Sequence, residues 1–189
     1  MTLSAEQQLK FLQHPQRLFD EGEFVATYKY ALLMALAELS VESGHAEGQV
    51  ELSLMAIAEK FAELYWPQTI PYASGVAGTL AGVLNQNQGK QTAVINTLMI
   101  LRHEGAATLS QARKSKSWPK AIATIARTVV SMPVKYLRNI GGVQVPFLYQ
   151  YPNPPGKLIL HTGTASMLRT FHPLIQQFLM SGKTKAMPK

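Results

Sequence analysis

A continuous apolar segment near the N-terminus constrains the fold more than any other feature of the sequence. In residues 24–41, apolar side chains such as Phe24, Tyr28 and Leu32 recur at the spacing of an α-helix. Leu33 and Leu36 place apolar groups on the other faces of the same helix. Because a helix that is apolar nearly all round must be buried, we predict that it lies at the centre of a mainly helical domain.

Further segments with helical periodicity or helix-start signals flank this central helix. They comprise residues 4–19, 52–66, 91–103, 118–140, 164–170 and 173–180. Residues 143–151 and 157–161 have the β-branched and aromatic content of strands, with a proline-rich turn between them. The predicted fold is therefore mainly α, a compact helical domain with one β-hairpin near residues 143–161. A hairpin beside helices resembles the wing of winged-helix DNA-binding domains, an analogy of fold only.

The length of 189 residues suits a single domain that is large enough to bury a core. We expect one domain over residues 1–189, with an alternative division into an acidic helical part, 1–66, and a basic part, 90–182. Residues 183–189 are expected to form a mobile basic tail. The chain has no cysteine and no signal-like start, and its longest uncharged stretch is too polar to span a bilayer. We therefore predict a cytoplasmic protein without membrane contact.

The charge distribution is strongly asymmetric. Residues 1–64 carry four basic and ten acidic side chains, whereas residues 65–189 carry fourteen basic side chains and one acid, Glu104. A surface of one sign concentrates counterions near it, so this asymmetry predicts a polyanionic partner, with DNA preferred. The alternative is that the basic face pairs with the acidic N-terminal region or with an acidic protein.

Residues 118–140 carry the clearest basic pattern. On an ideal helix, one arc of roughly 80° collects the polar positions, which are Lys120, Thr124, Arg127, Ser131, Lys135 and Arg138. The opposite arc collects Ile122, Ile125, Val129, Met132, Tyr136 and Ile140. Pro133 is expected to kink the helix without ending it. Cations at this spacing can contact successive phosphates, although an ordinary solvated face gives the same periodicity.

Other side chains complete the candidate nucleic-acid interface. Arg113, Lys114 and Lys116 precede the basic helix at the end that favours anions. The full set of candidate contacts is Arg113, Lys114, Lys116, Lys120, Thr124, Arg127, Lys135, Arg138, Lys157 and Arg169. Tyr149 and Tyr151 could stack on bases, but tyrosines in such positions more often pack in the core or at the edge of a sheet.

Signals for catalysis are weak throughout the chain. The five histidines lack the spacing of a helical metal site, and no nucleophile elbow surrounds a serine. Carboxylates, which a metal-dependent nuclease requires, are almost absent from the basic region. We therefore expect no catalytic residue, no metal and no cofactor in this chain, and no enzyme activity of the chain alone.

Several runs of residues resemble the N-terminal helical region of bacterial HNH endonuclease domain-containing proteins. The more specific runs begin at Phe24 (Phe-Val-Ala-Thr-Tyr-Lys-Tyr) and Ile57 (Ile-Ala-Glu-Lys-Phe-Ala-Glu-Leu-Tyr-Trp-Pro-Gln). Looser ones cover residues 131–137, 146–149 and 168–175. The resemblance implies a region that targets a nuclease module to DNA, in restriction or phage defence. The cysteine pair and His-Asn-His set of that module do not occur in these residues, so no catalytic role is carried over.

Two functions follow as expectations. The first is a non-catalytic DNA-binding or scaffold domain of an HNH-type endonuclease, which acts with a nuclease module. The second is a protein-interaction module whose basic face docks an acidic partner, or which forms a homodimer. The sequence sets neither the oligomeric state nor the choice between DNA and RNA.

Overall fold

The computed structural model describes residues 4, 6, 8, 9, 11–13, 27–44, 48–70, 93–140 and 143–177. The named helices in these ranges are α1 (Thr27–Glu42), α2 (Leu54–Tyr65), α3 (Ala93–His103), α4 (Leu109–Arg113), α5 (Trp118–Val129) and α6 (Thr164–Thr170). A 3₁₀ turn, Trp66–Thr69, follows α2, and a π turn, Val130–Val134, follows α5. The described positions between 6 and 13, and residues 172–177, are also helical. The predicted mainly helical fold is confirmed.

Helix α1 is the central helix that its composition predicts. From Leu32 to Ala37 the side chains on every face of the helix are buried, because α2, α6 and the π turn pack around it. The core continues into α2, α3 and α5, with Ile57, Ile95 and Ile125 among its fully buried side chains. Apolar side chains from the acidic and the basic parts of the chain thus share one core.

Helix α2 begins two residues later than its periodicity predicts. The Ser53 hydroxyl accepts a hydrogen bond from the Met55 backbone nitrogen at 3.2 Å, so Ser53 caps the helix. Leu52, predicted to be helical, lies instead in strand β1, Val50–Ser53. The tail predicted at residues 183–189 lies outside the described residues, as do parts of the helices predicted at 4–19 and 173–180.

The predicted hairpin is present, with more partners than the sequence suggested. Strands β2 (Asn139–Ile140) and β3 (Val143–Gln144) pair antiparallel. Farther along, Tyr149 bridges Leu160 of strand β4, Lys157–Leu160. Strand β4 also pairs antiparallel with β1, in the register Val50 opposite Leu160. Leu158 and Leu160 are fully buried, so this pairing belongs to the core, in contrast to a projecting wing.

The basic helix predicted over residues 118–140 ends earlier than expected. Helix α5 stops at Val129, and the π turn around Pro133 adds a residue to the turn. The buried positions therefore shift by one residue, so that Val134 and Leu137 face the core. Met132 and Tyr136, predicted to be buried, are 43% and 44% exposed. The continuous apolar stripe expected across Pro133 is wrong beyond Val129, and so is the single polar arc that placed Lys135 and Arg138 in line with Lys120 and Arg127.

Candidate nucleic-acid interface

Helix α4 precedes the predicted basic helix and has a well-defined start. Thr108 caps α4 through a reciprocal pair of hydrogen bonds with Gln111, which forms a capping box. After α4 ends, Trp118 opens α5 and its indole nitrogen donates to Glu59 at 2.9 Å. Lys114 and Lys116 lie in the exposed connection between these two anchored helices. Their backbone positions are thus fixed from both sides, while their side chains face solvent.

Helix α5 presents the next cations outward, as its amphipathic pattern predicts. Lys120 and Arg127 are exposed, and Ile122, Ile125 and Val129 on the opposite face are buried. An Arg127 guanidinium nitrogen donates to the Thr124 hydroxyl at 3.0 Å, and that hydroxyl donates to the Lys120 carbonyl oxygen, also at 3.0 Å. Thr124 therefore orients Arg127 along the helix surface.

Beyond the π turn, two cations each lie against an aromatic ring. The Lys135 ammonium is 5.3 Å from the centre of the Tyr136 ring, and the Arg138 guanidinium is 4.0 Å from the centre of the Tyr151 ring. Arg138 also donates to the Gln144 side-chain oxygen on β3. The periodicity of the sequence did not predict these contacts between cations and rings. The only sequence signal that the helical pattern changes phase is Pro133, which lies inside that pattern.

Three predicted contact residues are engaged within the fold. Arg113 forms ion pairs with Glu59 and Glu63 of α2. Lys157 on β4 forms an ion pair of 2.8 Å with Glu51 on β1. Arg169 on α6 donates to the Ser40 carbonyl oxygen at 3.1 Å, which ties α6 to α1. These three side chains therefore have structural partners, and Lys157 and Arg169 lie on elements other than the basic helix.

Carboxylates of the N-terminal part are concentrated around Lys60. Its ammonium forms ion pairs with Glu38, Glu42 and Glu63 at 3.5, 2.6 and 3.3 Å. Burial lowers the pKa of Lys60, but the surrounding carboxylates outweigh this effect and raise the pKa above its ordinary value. The acidic residues of α1 and α2 thus act mainly on Lys60 and Arg113.

Six cations remain along consecutive elements from α4 to β2. We call them the cationic strip: Lys114, Lys116, Lys120, Arg127, Lys135 and Arg138. Within the described ranges, no carboxylate forms an ion pair with any of them. The acidic part of the chain therefore neutralises Arg113 and Lys157 and leaves the strip uncovered by described carboxylates.

Signals for other kinds of site are weak in the described part of the chain. No group of three His, Cys, Asp or Glu side chains there could hold a metal ion. A shallow cleft lined by Leu137, Arg138 and residues 145–149 encloses no space for even a water-sized molecule. None of the helices in the described ranges is long and apolar enough to cross a membrane.

Comparison with known proteins gives a family but no characterised relative. No curated protein and no solved structure matches the chain. A family described as Domain of unknown function (DUF8808) matches residues 17–183, which include all of the named helices and strands. The chain therefore belongs to the family described as Domain of unknown function (DUF8808).

Proposed function

We propose that this protein binds nucleic acid through the cationic strip. The observation that carries the proposal is that six lysine and arginine side chains on consecutive segments between α4 and β2, five of them exposed and Arg138 half-buried, have no described carboxylate partner. Such a surface attracts phosphates, and binding them releases condensed counterions. The buried apolar face of α5 anchors the exposed cations of that helix to the core.

The biological role that we propose is the non-catalytic delivery of a nuclease module to DNA in the bacterial cytoplasm. The resemblance to the N-terminal region of HNH endonucleases supports this role. The strip has the properties of a targeting surface, because contacts to phosphates position a protein on a duplex without chemistry of their own.

The test is equilibrium binding of the full chain to labelled DNA, followed by fluorescence anisotropy over a range of salt concentrations. We expect the affinity to fall steeply and linearly with salt on a logarithmic scale. Reversal of four strip residues to glutamate is expected to abolish binding; the four are Lys120, Arg127, Lys135 and Arg138. Tight binding by this variant, or no binding of the unchanged protein at low salt, would contradict the proposal.

A matched control separates a local site from net charge. The double variant Lys120→Gln and Arg127→Gln lowers the net charge by the same amount as Thr170→Glu with Gln176→Glu. Thr170 and Gln176 are exposed, and Thr170 ends the helix that packs on α1. We expect the first variant to lose about tenfold or more in affinity at low salt and the second to lose much less. Equal losses would indicate that overall charge, and not the strip, governs binding.

A further inference from the structure

Two exposed aromatic rings lie at the C-terminal end of the cationic strip. Tyr136 is 44% exposed and Tyr151 is 38% exposed. Each ring carries a strip cation on it, Lys135 and Arg138 respectively. In contrast, Tyr149 is only 2% exposed and packs in the core, which is the role that the sequence favoured for it over base stacking.

The outward position of Tyr136 results from the backbone. In an uninterrupted α-helix, Tyr136 continues the buried stripe of Ile125 and Val129. The π turn at Val130–Val134 shifts the pattern by a residue, so Leu137 takes the buried position and Tyr136 faces solvent. π turns of this kind are frequent at functional sites. A large aromatic side chain is thereby placed at the surface, with the Lys135 ammonium over its ring.

The Tyr151 ring lies against Arg138, whose position is fixed by further contacts. The Arg138 guanidinium lies over the Tyr151 ring and donates to the Gln144 side chain. The backbone carbonyl oxygen of Arg138 accepts a hydrogen bond from the Val145 nitrogen at 2.7 Å. A guanidinium 4.0 Å from the ring centre covers one face of the ring. The exposed part of Tyr151 can contact a ligand while Arg138 supplies positive charge beside it.

We infer that this end of the strip binds the unpaired bases of single-stranded nucleic acid, with Tyr136 and Tyr151 as stacking platforms; the inference rests on the proposed function. Sequence-tolerant binding of single strands combines a cationic track for the backbone with aromatic side chains for the bases. In a duplex each base is stacked between adjacent bases, so its faces cannot contact a protein side chain, and most protein contacts are to phosphates. Phosphate contacts require cations alone, so the two exposed rings favour the single strand.

The experiment measures the affinity of the full chain for oligothymidine and oligouridine strands of about 20 nucleotides and for duplexes of equal length. We expect tighter binding to a single strand than to the duplex. Tyr136→Ala and Tyr151→Ala are each expected to weaken single-strand binding by about tenfold and duplex binding by less than about twofold. Tyr136→Phe and Tyr151→Phe should retain the affinity, because phenylalanine keeps the ring. Preference for either single strand supports the inference, and the two strands distinguish DNA from RNA.

Controls keep this inference separate from the proposed function. Val143→Ala removes an exposed apolar side chain that is not aromatic and that precedes Gln144, the partner of Arg138, and should leave both affinities unchanged. The losses from the tyrosine variants should be similar at low and high salt, because stacking releases few counterions, whereas loss of Lys120 or Arg127 should reduce the salt dependence. Equal binding of single strand and duplex, or equal losses on both from the tyrosine variants, overturns the inference and leaves the proposed function standing. Failure to bind either one overturns both.

Discussion

The Tyr149 hydroxyl donates a hydrogen bond to the backbone carbonyl oxygen of Val134 at 2.9 Å, and both groups are buried. This bond joins the segment before β4 to the last residue of the π turn. A hydroxyl from outside the helix therefore fixes the end of the π turn, two residues before Tyr136.

Removal of that hydroxyl should destabilise the protein. Tyr149→Phe leaves the Val134 carbonyl oxygen buried without this donor, and we expect the free energy of unfolding to fall by about 1–2 kcal/mol. Urea denaturation followed by circular dichroism measures the change. Tyr151→Phe is the matched control, since its side chain is partly exposed and the change should stay within about 0.5 kcal/mol. Equal effects of the two substitutions would contradict the role given to the buried bond.

Stability should also fall at alkaline pH because of the same side chain. Burial raises the pKa of Tyr149 well above its ordinary value of 10.0, so the folded chain keeps the hydroxyl protonated while the unfolded chain ionises near pH 10.0. The contribution of the protonated Tyr149 hydroxyl to the free energy of unfolding is fully present below pH 10.0 and is lost as the pH rises above that value. Denaturation at several pH values should show a smaller decline for Tyr149→Phe than for the unchanged protein. Parallel declines would indicate that other groups control the alkaline transition.

Arg113 and Arg127 should differ in their effect on binding, although both are exposed arginines on neighbouring helices. Arg113 is paired with Glu59 and Glu63, whereas Arg127 interacts with the Thr124 hydroxyl and has no described carboxylate partner. We expect Arg127→Gln to weaken nucleic-acid binding by several-fold at low salt and Arg113→Gln to have a smaller effect. Anisotropy titrations of the two variants under identical conditions measure the difference. A larger loss at Arg113 would mean that its ion pairs open on binding.

Phe61 should be among the most sensitive core positions. Its side chain is fully buried, and its ring centre lies 6.1 Å from the ring centres of both Tyr28 and Tyr65. Phe61→Ala is expected to lower the free energy of unfolding by about 3–5 kcal/mol, because a cavity remains. Met55→Ala on the same helix is the control. Because Met55 is 44% exposed, we expect this substitution to lower the free energy of unfolding much less. Thermal and urea unfolding give both values, and a small loss at Phe61 would show that the core collapses around the gap.

The sequence by itself determined the features that depend on contiguous residues. The burial of α1 and the outward direction of Lys120 and Arg127 follow from periodicity along a single helix, and that periodicity is visible without knowledge of any neighbour. The asymmetry of charge is likewise a property of the chain. These features made up the fold class and the centre of the candidate interface.

Only the tertiary structure decided the features that depend on residues far apart in the chain. Strand β1 is four residues long and pairs with β4 more than a hundred positions later, so neither strand shows its partner in the local pattern. The same reason explains why Arg113 and Lys157 are neutralised by Glu63 and Glu51. The π turn is decided in this way too: a proline permits several local geometries, and packing of Leu137 into the core selects the one that exposes Tyr136.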